Sequence, residues 1–141
     1  MKFGLDIHGV INKHPGLFAK LTRSLIAAGH EVHILTGVEL GARLDTELKK
    51  FNVSYTHLFS ITSYHKSIGT EVAYKDESKR NPFIEPALWD RTKADYCKTN
   101  LIDIHIDDST VYGNYFVDID TQYILFTDGL STILSTLLKK D

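Results

Sequence analysis

The feature that most limits the folds open to this chain is the alternation of short apolar runs with amphipathic stretches along its length. Residues 3–7 read as a buried strand ending in a turn at Gly9. Over 15–28, Leu17, Phe18, Leu21, Leu25 and Ile26 share one helical face. Pro15 suits the first turn of that helix and Gly29 the position just past its end. A second strand over 32–35 closes at Thr36 and Gly37, and Leu40, Leu44, Leu48 and Phe51 form the stripe of a second helix that stops at Asn52. The aromatic and β-branched residues of 55–64 predict a third strand. Residues 65–92, with a polar run over 75–82 and a proline at Pro86, read as an irregular excursion over the surface or a small lid. A short helix from about residue 92 to 99, a strand over 101–106, and strands at 115–118 and 122–126 follow. The last helix is marked by Leu130, Ile133, Leu134, Leu137 and Leu138, with Lys139 and Lys140 complementing its negative end. Strand–helix–strand alternation predicts an α/β, three-layer Rossmann-like fold, a mostly parallel sheet with helices on both faces. At 141 residues the expectation is a single domain over 1–141.

Sheets of this kind bind ligands beyond the carboxyl ends of their strands. There the sequence places Asp6 after the first strand, Thr36 and Gly37 after the second, and Asp107, Asp108 and Ser109 after the strand over 101–106. Lys93 precedes that strand and is placed to reach the carboxylates. Carboxylates gathered this closely repel one another unless a cation sits among them, and hard oxygen ligands suit Mg²⁺ with a phosphate. A carboxylate also serves as a nucleophile toward phosphorus, giving an aspartyl-phosphate. Other chemistries are argued against. Acids and bases are mixed at a formal charge of −2, so nothing marks a nucleic-acid or anionic-membrane partner. Cys97, the only cysteine, allows no internal disulfide and no thiolate zinc cluster, and reads as a small core residue. The seven histidines show no tight metal-ligand spacing. No apolar stretch approaches the ~20 residues of a membrane span, and a reduced cytoplasmic setting is the default expectation.

On these residues the chain resembles the haloacid dehalogenase superfamily, most of whose members are Mg²⁺-dependent phosphohydrolases. Residues 3–11 look like the first motif, whose leading aspartate, here Asp6, is the nucleophile. Residues 34–37 resemble the second, in which the hydroxyl of Thr36 and the N–H of Gly37 would hold phosphoryl oxygens. Lys93 is similar to the third motif and would neutralise charge in the transition state; residues 104–109 are similar to the fourth, the acidic pair Asp107 and Asp108. The resemblance implies Mg²⁺ held by Asp6, Asp107 and the backbone carbonyl of His8, with Asp108 orienting that set. It implies a small capless or minimally capped enzyme with an open site, and a phosphorylated substrate that is either a small molecule or macromolecular. It leaves an oligomer open.

The chain departs from the pattern at His8, where the family usually has a second aspartate as acid and base. Histidine, with an ordinary pKa of about 6.5, can take both roles. The other reading is an impaired module that binds metal and phosphate but turns over slowly. A receiver domain of two-component signalling also joins an acidic pocket, a threonine and a lysine, but puts its acidic pair after the first strand. Bland roles compete with each site residue: a turn or helix cap for Asp6 and Thr36, a solvated loop for the acidic pair. Lys75 and Lys79 compete with Lys93 for the lysine role. Trp89 reads as packing with Phe83, Ile84 and Leu88 rather than as a substrate platform; His14 and His65 could reach a phosphate but read as exposed; Tyr112, Tyr115 and Tyr123 read as strand and edge packing.

Overall fold

The computed structural model describes residues 1–78 and 82–139. Strand β1 (Lys2–Leu5) leads into helix α1 (Pro15–Ala27), and β2 (Glu31–Thr36), α2 (Ala42–Phe51), β3 (His57–Ser60) and α3 (Ile61–Ser67) follow. Two short strands, β4 (Ala73–Tyr74) and β5 (Pro82–Phe83), pair antiparallel. The chain then forms α4 (Pro86–Thr99), β6 (Ile104–Asp107), the one-turn α5 (Thr110–Gly113), β7 (Gln122–Leu125) and α6 (Asp128–Lys139). The main sheet has the order β3-β2-β1-β6-β7, and every neighbouring pair is parallel. This is the three-layer, Rossmann-like α/β architecture that the alternation predicts.

The period of two along each strand divides the core between the faces of the sheet. Leu5, Val32, Ile34 and Ile106 point to one face and pack with Phe18 of α1, Leu44 and Leu48 of α2 and Leu130 of α6. Leu35 points to the other and packs with Ala94 and Cys97 of α4, Ile102 and Phe116. Cys97 is fully buried, as its sequence context predicts. Chain order reverses between β1 and β6, since β2 and β3 lie to one side of β1 and β6 and β7 to the other. The crevice at that reversal, beyond the carboxyl ends of β1 and β6, is where such sheets take their ligands.

Several boundaries differ from the sequence expectation. The third strand is confined to His57–Ser60, because Ser60 accepts a hydrogen bond from the Ser63 N–H at 3.0 Å and starts α3 within the stretch read as strand. Pro86, read as part of an irregular segment, is the first residue of α4; its missing N–H costs nothing there. Residues 65–92 therefore hold the end of α3, the β4–β5 pair and the opening turns of α4. The strand expected at 115–118 is absent: residues Asn114–Phe116 form a 3-10 turn, and β7 takes the place beside β6. Phe116 folds inward to stack on His105, ring centroids 5.6 Å apart. Lys79, Arg80 and Asn81 of the polar run and Lys140 of the last helix lie outside the described residues. Among the described residues no helix is long and apolar enough to cross a membrane.

Candidate active site

Strand β1 ends on Leu5, so Asp6 emerges at the reversal of strand order, its N–H bonded to the Ile106 carbonyl of β6 at 3.0 Å. Asp107 is the last residue of β6, directly across that crevice. Between them stands Lys93, delivered by α4 from one face of the sheet. Its Nζ donates to Asp6 Oδ1 at 2.9 Å and to Asp107 Oδ2 at 2.8 Å. The lysine side chain is only 3% exposed. Lys93 is thus the lysine that reaches both carboxylates; Lys75 lines the cavity above, and Lys79 lies outside the described residues.

Asp107 is held on all sides. His105, two residues back and on the same face of β6, shares a hydrogen bond with Oδ2 at 2.9 Å. Oδ1 accepts the N–H of Asp108 at 2.8 Å and of Ser109 at 3.3 Å. Burial acts to raise the Asp107 carboxyl, but the His105 hydrogen bond and the charge of Lys93 outweigh it and hold the group well below the usual carboxylate range. Asp6 goes the other way. Burial pushes its carboxyl up to about 7 against the pull of Lys93, and the neighbouring charges of Asp107 and Asp108 add to the rise. For Lys93, burial favours the neutral amine, yet the two carboxylates prevail and raise the ammonium above its ordinary value.

Asp108 is exposed and completes a cluster in which carboxylate oxygens of Asp6, Asp107 and Asp108 lie within 4.8 Å of one another. Its carboxylate fits against Gly9, whose φ is +95° and where a Cβ would stand 1.9 Å from Asp108 Oδ2. Gly9 therefore both makes the turn after β1 and leaves room for the acid. On the floor of the site Gly4 does the same for His105: a Cβ there would lie 2.6 Å from Nδ1.

A cavity of about 420 Å³ opens over these groups, lined by Asp6, Lys93 and Asp108 and walled by Trp89, Tyr112 and Lys75. Gly37 and His8 also line it. Thr36 does not: it is fully buried, and its hydroxyl accepts the Val38 N–H at 3.1 Å within its own turn. Trp89 is a wall of the cavity rather than plain packing. Its Nε1–H donates to the Tyr112 hydroxyl at 2.7 Å, and Lys93 Nζ lies 5.2 Å from the Tyr112 ring centroid. His8 is half exposed, and its Nε2 meets Glu47 Oε1 of α2 at 2.5 Å. His65, read as exposed, is buried between Thr70 and Thr92, with ring nitrogens 2.9 and 2.8 Å from their hydroxyls. The sequence reading missed His105, Glu47 and the wall formed by Trp89 and Tyr112. Only His105 left a signal, its position two residues before Asp107 on a strand, which puts both on one face.

No protein-family model matches the chain, and no curated protein matches it. Among solved structures, an uncharacterized protein from Corynebacterium glutamicum ATCC 13032 Kitasato is similar over 97% of this chain and 93% of that one, with a TM-score of 0.50 and 16% sequence identity. At that identity the likeness bears on the fold, and it agrees with the three-layer Rossmann-like arrangement.

Proposed function

We propose that the chain is a Mg²⁺-dependent phosphohydrolase that cleaves a phosphate monoester, small or macromolecular, through an aspartyl-phosphate on Asp6, in a cytoplasmic setting. The observation that carries this reading is the buried Lys93 ammonium bridging Asp6 and Asp107 at 2.9 and 2.8 Å, with Asp108 in the same cluster at the reversal of strand order. The donor set fits the metal: hard carboxylate oxygens outnumber the Lys93 ammonium that bridges them, and the Asp6 carboxyl is raised by burial, with its acidic neighbours adding to the rise. Asp6, Asp107 and the His8 carbonyl would hold Mg²⁺, with Asp108 orienting them. Bound there, the ion would polarise the phosphoryl group and offset its charge.

The protein's own groups supply the rest. Asp6 attacks phosphorus in line, and Lys93 steadies both the nucleophile and the negative charge of the transferring group. Gly37 offers a backbone N–H at the cavity wall. His8 stands where the superfamily it resembles has its second aspartate, and Glu47 orients the ring for passing a proton to the leaving oxygen and taking one from water. The β4–β5 pair, through Lys75 and Pro82, serves as a minimal cap over an otherwise open site.

The His8–Glu47 pair also favours a second reading, a module that binds metal and phosphate with little turnover, since the ring is committed to a carboxylate on α2. Hydrolysis of a generic aryl phosphate with and without Mg²⁺ separates the two. Metal-dependent turnover that falls at least about 10³-fold in Asp6→Asn is the expected result. Turnover that ignores Mg²⁺ or survives the substitution would sink the phosphohydrolase. Binding of Mg²⁺ and a phosphate analogue without turnover would establish the second reading.

A further inference from the structure

A second constellation of ligand-type side chains lies at the opposite end of the sheet. Glu31 opens β2, His33 follows two residues later on the same face, and His57 opens the edge strand β3 as the register partner of His33. Five residues along β2 separate Glu31 from Thr36, about 17 Å of strand, so this group belongs to a different part of the molecule from Asp6. Glu31 Oε1 lies 2.9 Å from His33 Nε2 and 3.7 Å from His57 Nδ1. Those separations straddle the ~3.3 Å edge of a tetrahedron built on bonds of ~2.0–2.1 Å, the length of zinc–imidazole and zinc–carboxylate bonds. All three ligand atoms lie within 4.8 Å of one another.

We infer that Glu31, His33 and His57 form a binding site for a divalent transition metal of the zinc class.

The chemistry of the surrounding groups supports that set. Imidazole nitrogen selects zinc, cobalt, nickel or copper over magnesium. His33 is the buried anchor, and its Nδ1 lies 2.7 Å from the Tyr96 hydroxyl of α4. A metal-bound histidine generally gives its other ring N–H to a carboxylate, carbonyl or water oxygen, which fixes its tautomer and orientation, and the Tyr96 hydroxyl oxygen stands in that place here. Without metal, His33 Nε2–H donates to Glu31 and the Tyr96 hydroxyl donates to Nδ1. With metal, the ring proton moves to Nδ1 by exchange with water and the hydroxyl becomes the acceptor, so Tyr96 serves both states. Burial already holds His33 toward its neutral, ligating form, against the pull of Glu31. The second carboxylate oxygen of Glu31 faces Lys2 Nζ at 3.9 Å, while Oε1 faces the histidines. The half-exposed His57 ring stacks on His33 at 4.1 Å with planes 6° apart, its Nδ1 also 2.9 Å from the Thr56 hydroxyl, and on binding the ring would tilt from that hydroxyl toward a shared ion. The outer side of the site is solvent, which supplies the remaining ligand as water.

The test uses the full chain without an affinity tag, in excess Mg²⁺, titrated with Zn²⁺ and followed by calorimetry and by imidazole ¹⁵N resonances. One equivalent of Zn²⁺ should bind and shift the rings of His33 and His57. His57→Ala should weaken binding at least tenfold, and Tyr96→Phe about tenfold as the loss of a supporting hydrogen bond. Asp108→Asn should leave this binding unchanged. No Zn²⁺ binding up to about 100 µM, shifts confined to histidines other than His33 and His57, or binding that survives His57→Ala would overturn the assignment. Because His57 is exposed, loss of the fold does not confuse the result, and the same spectra report the fold directly.

Discussion

The two ends of the main sheet place ionisable side chains together in opposite ways. At the carboxyl end, Asp6, Lys93, Asp107 and His105 are buried, and their charges are met by one another and, at Asp107, by the backbone N–H groups of Asp108 and Ser109. At the amino end, Glu31 and His57 stay in water and only His33 is buried. In the buried group every member depends on its partner, because an unpaired charge there keeps its full desolvation cost. In the open group water stands in for any missing partner. Pre-organised charge at one end suits chemistry on a bound group; a solvated, adjustable set at the other suits capture of an ion.

The contrast breaks most sharply at Lys93. Lys93→Met leaves two buried carboxylates without their cation, and should cost about 3–5 kcal/mol in urea unfolding measured without metal. Added Mg²⁺ should recover part of that loss. A cost under about 1 kcal/mol would mean that the cluster relaxes into water and is not the rigid device argued above.

His65 gives an intermediate case, buried yet partnered only by neutral hydroxyls. Burial lowers its pKa below the ordinary 6.5, so the unfolded chain takes up the proton first. Its contribution is complete above about pH 6.5 and declines as the pH falls below that value. His65→Gln should therefore lose less stability than the wild type between about pH 7.5 and 5.5, the interval in which an ordinary histidine titrates. Equal slopes would show that the ring is reached by water. The smallest effect is expected at the amino end, where Glu31→Gln should shift the urea midpoint little, since the Lys2 and His57 contacts are exposed and a glutamine oxygen can still accept the His33 Nε2–H.

The division between what was legible in the sequence and what was not follows the range of the forces involved. Apolar periodicity is local, so it revealed β1, β2, β6 and β7, helices α1, α2 and α6, and the placement of Asp6, Asp107 and Asp108 at strand ends. Capping and proline placement are also local, yet the Ser60 cap within 55–64 and Pro86 as a first helical residue run against the expectation, because aromatic content in the one stretch and a polar run before the other point elsewhere. Among the site residues, Asp6 and Asp107 were readable because each directly follows or ends an apolar run.

What the sequence by itself determined is the strand–helix alternation and the end of the sheet where the carboxylates collect, because backbone hydrogen bonding and burial impose periods of 2 and 3.6 on any chain. Only the tertiary structure decided that Lys93 rather than Lys75 spans Asp6 and Asp107, that Thr36 is sealed inside its own turn, and that His33 and His57 meet. Those facts rest on strand order and register, which bring together residues 87 and 24 positions apart. No period in the sequence records such distances.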